Sequence, residues 1–198
     1  MLFEKLLDLV LDYMYNKFMK NFNLMEKIKS LFDVDKKKLA IWFAIDFFFI
    51  GVWLAVDLLT KEFVYGPMAN GAPDIIIWKG VLRLTSVENT GASFGIFQGK
   101  TDILAIVSLA TIFVITLVMI FTIKNRNGWY RSALILLISG GLGNIIDRFM
   151  LGYVRDWVYF ELIDFAVFNL ADTGLTVGCV LLVIFVIFFY KPDETQKK

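Results

Sequence analysis

Phe168-Asn-Leu-Ala-Asp172-Thr-Gly-Leu-Thr-Val-Gly-Cys-Val-Leu-Leu-Val-Ile-Phe-Val-Ile-Phe-Phe-Tyr190 decides the fold class of this chain. Residues 173–190 carry no charge, and an apolar helix of about 20 residues crosses the hydrocarbon core of a bilayer. A carboxylate, Asp172, stands at the mouth of that run. Residues 39–59, 103–123 and 132–151 have comparable length and apolarity. The run 103–123 is also uncharged. The run 39–59 contains Asp46 and Asp57, and the run 132–151 carries Asp147 and Arg148 near its end, as expected where a helix faces a polar site inside a bundle. The expected fold is therefore an integral membrane, mainly α, four-transmembrane-helix bundle. Composition agrees: 58% of the 198 residues are hydrophobic, against roughly 45–50% in a soluble domain.

The same composition excludes several chemistries. A net charge of +1 gives no field for nucleic acid. The chain has no histidine, which removes Ser-His-Asp and Cys-His catalysis and argues against a zinc site; no metal or cofactor is expected. Cys179, the single cysteine, lies inside an apolar run, where a thiol is inert. Acid–base work falls to carboxylates, lysines or tyrosines.

Basic residues set the expected orientation. Lys27, Lys29, Lys36, Lys37 and Lys38 precede the first span; Lys124, Arg126 and Arg131 lie between the second and third; Lys191, Lys197 and Lys198 follow the fourth. Lys61, Lys79, Arg83, Lys100 and Arg155 on the other side are diluted by acids. Both termini are expected in the cytoplasm, with Asp156 and Asp172 on the outer side. Residues 1–38 break the apolar core of a signal peptide with Glu4, Asp8 and Asp12. Their helically spaced Phe3, Leu7, Val10, Met14 and Phe18 read as an amphipathic extension that lies on the membrane or packs on the bundle or a partner. Residues 39–190 form the membrane domain and 191–198 a polar tail. Between the first two spans, Pro67, Gly71 and Pro73 mark turns, and residues 75–85 read as a small β-element on the outer membrane face.

Asp156 and Asp172 are sixteen residues apart, at the end of one apolar run and the start of the next. Two close carboxylates do not both ionise easily; one keeps a proton, and the pair can divide the roles of general acid and general base. The plain alternative makes both acids helix-end residues, with Asp172 capping the last helix. Asn144 and Asp147 are three apart and share a helix face. Asp147 with Arg148 reads as a buried pair, or Arg148 as a contact to a substrate carbonyl or headgroup. Gly140, Gly141 and Gly143 suit close helix packing. Asp57 and Lys61 read as an i,i+4 ion pair at the membrane boundary, Asp46 has no assigned role, and Glu161 and Asp164 compete with Asp156 on spacing alone.

Five motifs in order resemble the bacterial lipoprotein signal peptidase (signal peptidase II) family: Asp57-Leu-Leu-Thr-Lys61; Glu88-Asn89-Thr-Gly91-Ala-Ser-Phe-Gly95; Gly140-Gly-Leu-Gly-Asn144-Ile-Ile-Asp147-Arg148; Val154-Arg-Asp156; and Phe168-Asn169-Leu-Ala-Asp172. The resemblance implies a four-helix aspartic peptidase with an extracytoplasmic β-cradle in the bacterial inner membrane. It implies cleavage of diacylglyceryl-modified prolipoproteins just before the lipidated cysteine, with membrane lipid and globomycin-type inhibitors as further partners. It places Asp156 and Asp172 on the catalytic dyad. Asn89, Gly91, Asn144, Arg148 and Asn169 fall on substrate-binding positions, and Asp57, Lys61 and Asp147 on structural polar ones. Arg155, Tyr159 and Ser93 depart from the usual pattern. The competing class is a small proton- or cation-coupled transporter using Asp46, Asp57 and Asp147; a non-catalytic scaffold leaves these residues without a purpose.

Overall fold

Each apolar run becomes one helix, and polar side chains cap the start of the third and the fourth. The computed structural model describes Asp33 and residues 35–91 and 97–189. The amphipathic reading of the first 38 residues (all but Asp33 and 35–38), the polar tail 191–198 and Ser93 lie outside the described residues. The chain divides into two units, Met1–Trp42 and Phe43–Lys198. Of the first, only Asp33 and the start of helix α1 (Lys36–Thr60) are described, and there the Asp35 carboxylate accepts the Lys37 backbone N–H. The second unit carries everything below.

Helix α1 continues through one π-helical stretch (Lys61–Tyr65) into α2 (Gly66–Ala69), so the first candidate span reaches Lys36–Ala69. Then come β1 (Ile75–Trp78), β2 (Leu82–Asn89), α3 (Thr101–Phe121), α4 (Gly128–Leu151), β3 (Val154–Phe160), a short 3-10 turn (Glu161–Ile163) and α5 (Leu170–Phe188). Helix α4 starts four residues before the sequence boundary because the Asn127 side chain accepts the Tyr130 N–H. It ends at Gly152, whose φ of +82° is a left-handed conformation that few other residues adopt. Helix α5 starts at Leu170, where Asn169 is the N-cap and Asp172 closes a capping box. The capping role read for Asp172 thus belongs to Asn169: the earlier side chain reaches the free amide, and Asp172 returns the bond to the Asn169 N–H.

Helix α4 is the centre of the bundle. Of its most apolar stretch 56% is buried, against 11% to 22% in the other three spans. Ile135, Ile138 and Ile145 of α4 pack with Ile50 of α1, Ile112 of α3 and Phe185 of α5. Helices α1 and α4 run parallel, since Asp46 meets Arg131 at one end and Asp57 lies against Gly143 at the other. Phe47, Phe48, Phe113 and Phe188 are more than half exposed, the surface expected of helices facing lipid tails.

The β-element of the sequence reading is present and gains a third strand. The element read over residues 75–85 is present as a hairpin, and β3 joins it to give an antiparallel sheet of order β1-β2-β3. Strand β3 is not among the expected elements: Val154, Asp156 and Trp157 are all buried, so it lacks the alternation that marks a half-exposed strand. Register sets Val87 opposite Asp156 and Asn89 opposite Val154. The far edge of β3 is bridged to Phe168, next to the α5 cap.

Candidate active site

Lys61 begins the π-helical turn and is wholly buried. Its Nζ lies 2.8 Å from the Asp57 carboxylate and 3.2 Å from that of Asp147, both fully buried. It also donates to the Gly143 carbonyl and the Asn144 Oδ1, each at 3.3 Å. Asp57 accepts the Ala171 N–H at 2.9 Å. Asp147 is shared with Arg155, whose Nη2 is 2.7 Å away. Two acids therefore face two bases, the condition under which buried charges are tolerated. The partner of Asp147 is Arg155 with Lys61, not its neighbour Arg148, because adjacent residues on a helix diverge. Gly143 permits this arrangement, since a Cβ there would collide with the Asp57 carboxylate and press on the Ala171 Cβ.

From Lys61 the polar network passes through two amides to the two aspartates. Asn144 Oδ1 accepts from Lys61 and, at 3.1 Å, from Asn169 Nδ2, so its own Nδ2 is free to donate to Asp172 Oδ1 at 2.7 Å. Asn169 Nδ2 also donates to Asp156 Oδ1 at 2.7 Å, while Asn89 Nδ2 donates to Asp156 Oδ2 at 2.9 Å. The amide orientations follow from this inventory: an oxygen turned toward a cation leaves only N–H groups for the carboxylates. Asp156 is 1% exposed. Burial pushes its carboxyl up to about 7, the nearby Asp172 pushes the same way, and the Asn89 and Asn169 donors pull back.

Asn89, Asn144, Arg148, Asp156 and Asp172 line one cavity of about 740 Å³ that continues between α3 and α5 past Gly141. Arg148 Nη2 donates to the Gly91 carbonyl at 3.2 Å, and the Gly91 N–H donates to Asn89 Oδ1 at 2.9 Å. Gly91 and Asn169 lie behind the lining and hold residues that form it. Glu161 and Asp164 are outside it; Asp164 instead accepts the Tyr159 hydroxyl at 2.5 Å on the surface. Arg155, the departure beside Asp156, turns to Asp147 and to Glu62 at 3.5 Å. Asp46 pairs with Arg131 and, at 3.0 Å, with Arg126. Those partners were invisible in the sequence, lying 80 and 85 positions away.

A statistical description of the family Signal peptidase (SPase) II matches residues 49–188. The chain belongs to the signal peptidase II family. Lipoprotein signal peptidase from Streptococcus pyogenes serotype M3 (strain ATCC BAA-595 / MGAS315) is 41% identical over 131 residues, 66% of this chain and 85% of that one. Its counterpart from serotype M5 (strain Manfredo) is 40% identical over the same coverage. Two solved structures described as bacterial membrane enzymes, at 2.3 Å and 1.9 Å resolution, superpose with TM-scores of 0.65 and 0.62. They are 29% and 27% identical, cover 73% and 74% of this chain, and are themselves covered over 88% and 95%. Membership in signal peptidase II makes this a multi-pass bacterial membrane protease that removes signal peptides from prolipoproteins.

Proposed function

We propose that Asp156 and Asp172 are the catalytic dyad of an aspartic endopeptidase. The observation that carries the reading is the shared amide network: Asn144 and Asn169, themselves hydrogen-bonded, aim N–H groups at both carboxylates beside one cavity. With one proton between them, the ionised carboxylate takes a proton from water while the protonated one donates to the scissile carbonyl. The tetrahedral intermediate then collapses as the proton taken from water passes to the leaving amine, and the other carboxylate takes back a hydroxyl proton as the C=O re-forms. Neither step calls on histidine or metal. Arg148, cationic and in the cavity wall, suits the substrate carbonyl or a lipid headgroup.

The substrate of this reading is a diacylglyceryl-modified prolipoprotein, cut just before the lipidated cysteine. A site at the ends of α4 and α5 suits a cysteine held at headgroup height by its acyl chains. The excess of lysine and arginine on the opposite side supports cytoplasmic termini and an outward-facing site, with residues 39–190 as the catalytic unit between the extension 1–38 and the tail 191–198. Ion transport has no support: Asp46, Asp57 and Asp147 are each paired with lysine or arginine. The test is cleavage of a diacylglyceryl-modified prolipoprotein peptide by purified protein in detergent, with no ion gradient. Cleavage, blocked by a globomycin-type inhibitor and absent for the unlipidated peptide, is expected. Equal cleavage of the unlipidated peptide overturns the substrate assignment.

A further inference from the structure

The cavity does not end at the aspartates. It continues into the membrane region as a groove between α3 and α5, with Gly141 of α4 in its lining, and two hydroxyl groups, Ser108 of α3 and Thr176 of α5, line it. At 1.5 Å per residue, Ser108 stands about 10 Å below the first residue of α3 and Thr176 about 9 Å below that of α5. The two therefore flank the groove at similar depth. Thr176 follows Asp172 by one helical turn, so it shares that face of α5 and lies about 6 Å deeper.

Hydroxyls on membrane helices ordinarily satisfy themselves on the backbone a turn earlier. Thr111, Thr122, Ser139 and Thr173 do so here, on Val107, Val118, Ile135 and Asn169 carbonyls at 2.6 to 3.1 Å. Among the described residues Ser108 and Thr176 have no such bond and no other partner. Thr116 of α3 and Ser132 of α4 also lack one, but neither is among the residues that line the groove.

We propose that Ser108 and Thr176 form a subsite that donates hydrogen bonds to main-chain carbonyls of the signal peptide just upstream of the cut. The inference rests on the dyad reading and deepens it. A peptide bond offered to two aspartates must lie in extended chain, and extended chain in a membrane leaves carbonyls without helical partners, at a cost of several kcal/mol each. Extended chain advances about 3.3 Å per residue, so the depth difference between Asp172 and Thr176 corresponds to about two residues. The subsite therefore recognises backbone rather than sequence, as a peptidase acting on many signal peptides requires.

The test is steady-state cleavage of a diacylglyceryl-modified prolipoprotein peptide by Ser108→Ala, Thr176→Val and the double variant. Thr111→Ala and Ser132→Ala serve as controls outside the groove. The expected result is a KM raised roughly 5- to 10-fold in each single variant, with kcat and Tm near wild type and partial rescue in Thr176→Ser. Dyad variants lose kcat altogether, so failure of the dyad reading is separately visible. A second arm uses a substrate with ether-linked alkyl chains, which lacks ester carbonyls. A persisting KM effect supports the peptide backbone as the acceptor. An effect confined to the ester-linked substrate, or no KM change in either variant, overturns the proposal.

Discussion

Replacing Lys61 with methionine removes the cation that, among the described residues, touches Asp57, Asp147 and Asn144 together. The side chains are of similar length, so the change is one of charge more than volume. In the native cluster Lys61 and Arg155 balance Asp57 and Asp147; in Lys61→Met one negative charge is left over at a site with no exposure. Asp57 keeps the Ala171 N–H and Asp147 keeps Arg155, so the loss falls mainly on Asp57. Breaking a buried pair in this way costs roughly 3–5 kcal/mol, and at about 2–4 °C per kcal/mol for a chain of this size Tm falls by roughly 6–20 °C. Thermal unfolding in detergent measures it. Adding Asp57→Asn restores neutrality and recovers at least half of that loss. The double variant stays well below wild type in kcat/KM, because Asn144 no longer has a cation to fix its oxygen and aim its N–H groups at Asp172. A Tm unchanged in Lys61→Met, or full activity in the double variant, refutes Lys61 as the root of the network.

Two further outcomes follow from named contacts. Asp156 holds its proton until about pH 7, so kcat/KM is expected to fall above that pH as both carboxylates ionise. Asn89→Ala removes a donor that favours the ionised form, and the alkaline limb of the pH–rate profile is expected to move upward; a downward move contradicts the assignment. Because the folded state holds this proton more tightly than the unfolded chain, folding stability is expected to decline from about pH 4 to 7, and Asp156→Asn to flatten that decline. At the other end of the bundle, Asp46→Asn leaves Arg131 and Arg126 without their shared carboxylate and costs roughly 3 kcal/mol of stability. Asp46 lies about 16 Å along α1 from Asp57, so a changed pH–rate profile in that variant is the outcome that contradicts a purely local clamp.

The four spans were legible because hydrocarbon imposes length and apolarity on a helix directly. The motifs carried most of the site for a similar reason: Asp57 and Lys61 are one helical turn apart, and so, nearly, are Asn144 and Asp147. Local spacing reports local geometry. Strand β3 escaped because covering both faces removes its alternation, although it carries Asp156. The partners of Asp147 and Asp46 escaped because they come from other elements, and a charge in sequence does not name the distant charge that neutralises it. Asn169 shows the intermediate case: Phe168-Asn169-Leu-Ala-Asp172 contains a capping box, yet the visible acid drew the role that the amide performs.

The most direct test of the dyad is cleavage of a diacylglyceryl-modified prolipoprotein peptide by Asp156→Asn and Asp172→Asn, each checked by Tm for a folded protein. Asparagine keeps the shape of each side chain and one of the two hydrogen bonds its carboxylate accepts, but neither takes a proton from water nor donates one to a carbonyl. Both folded variants are expected to release no product while still binding substrate. Wild-type turnover in either one contradicts the account.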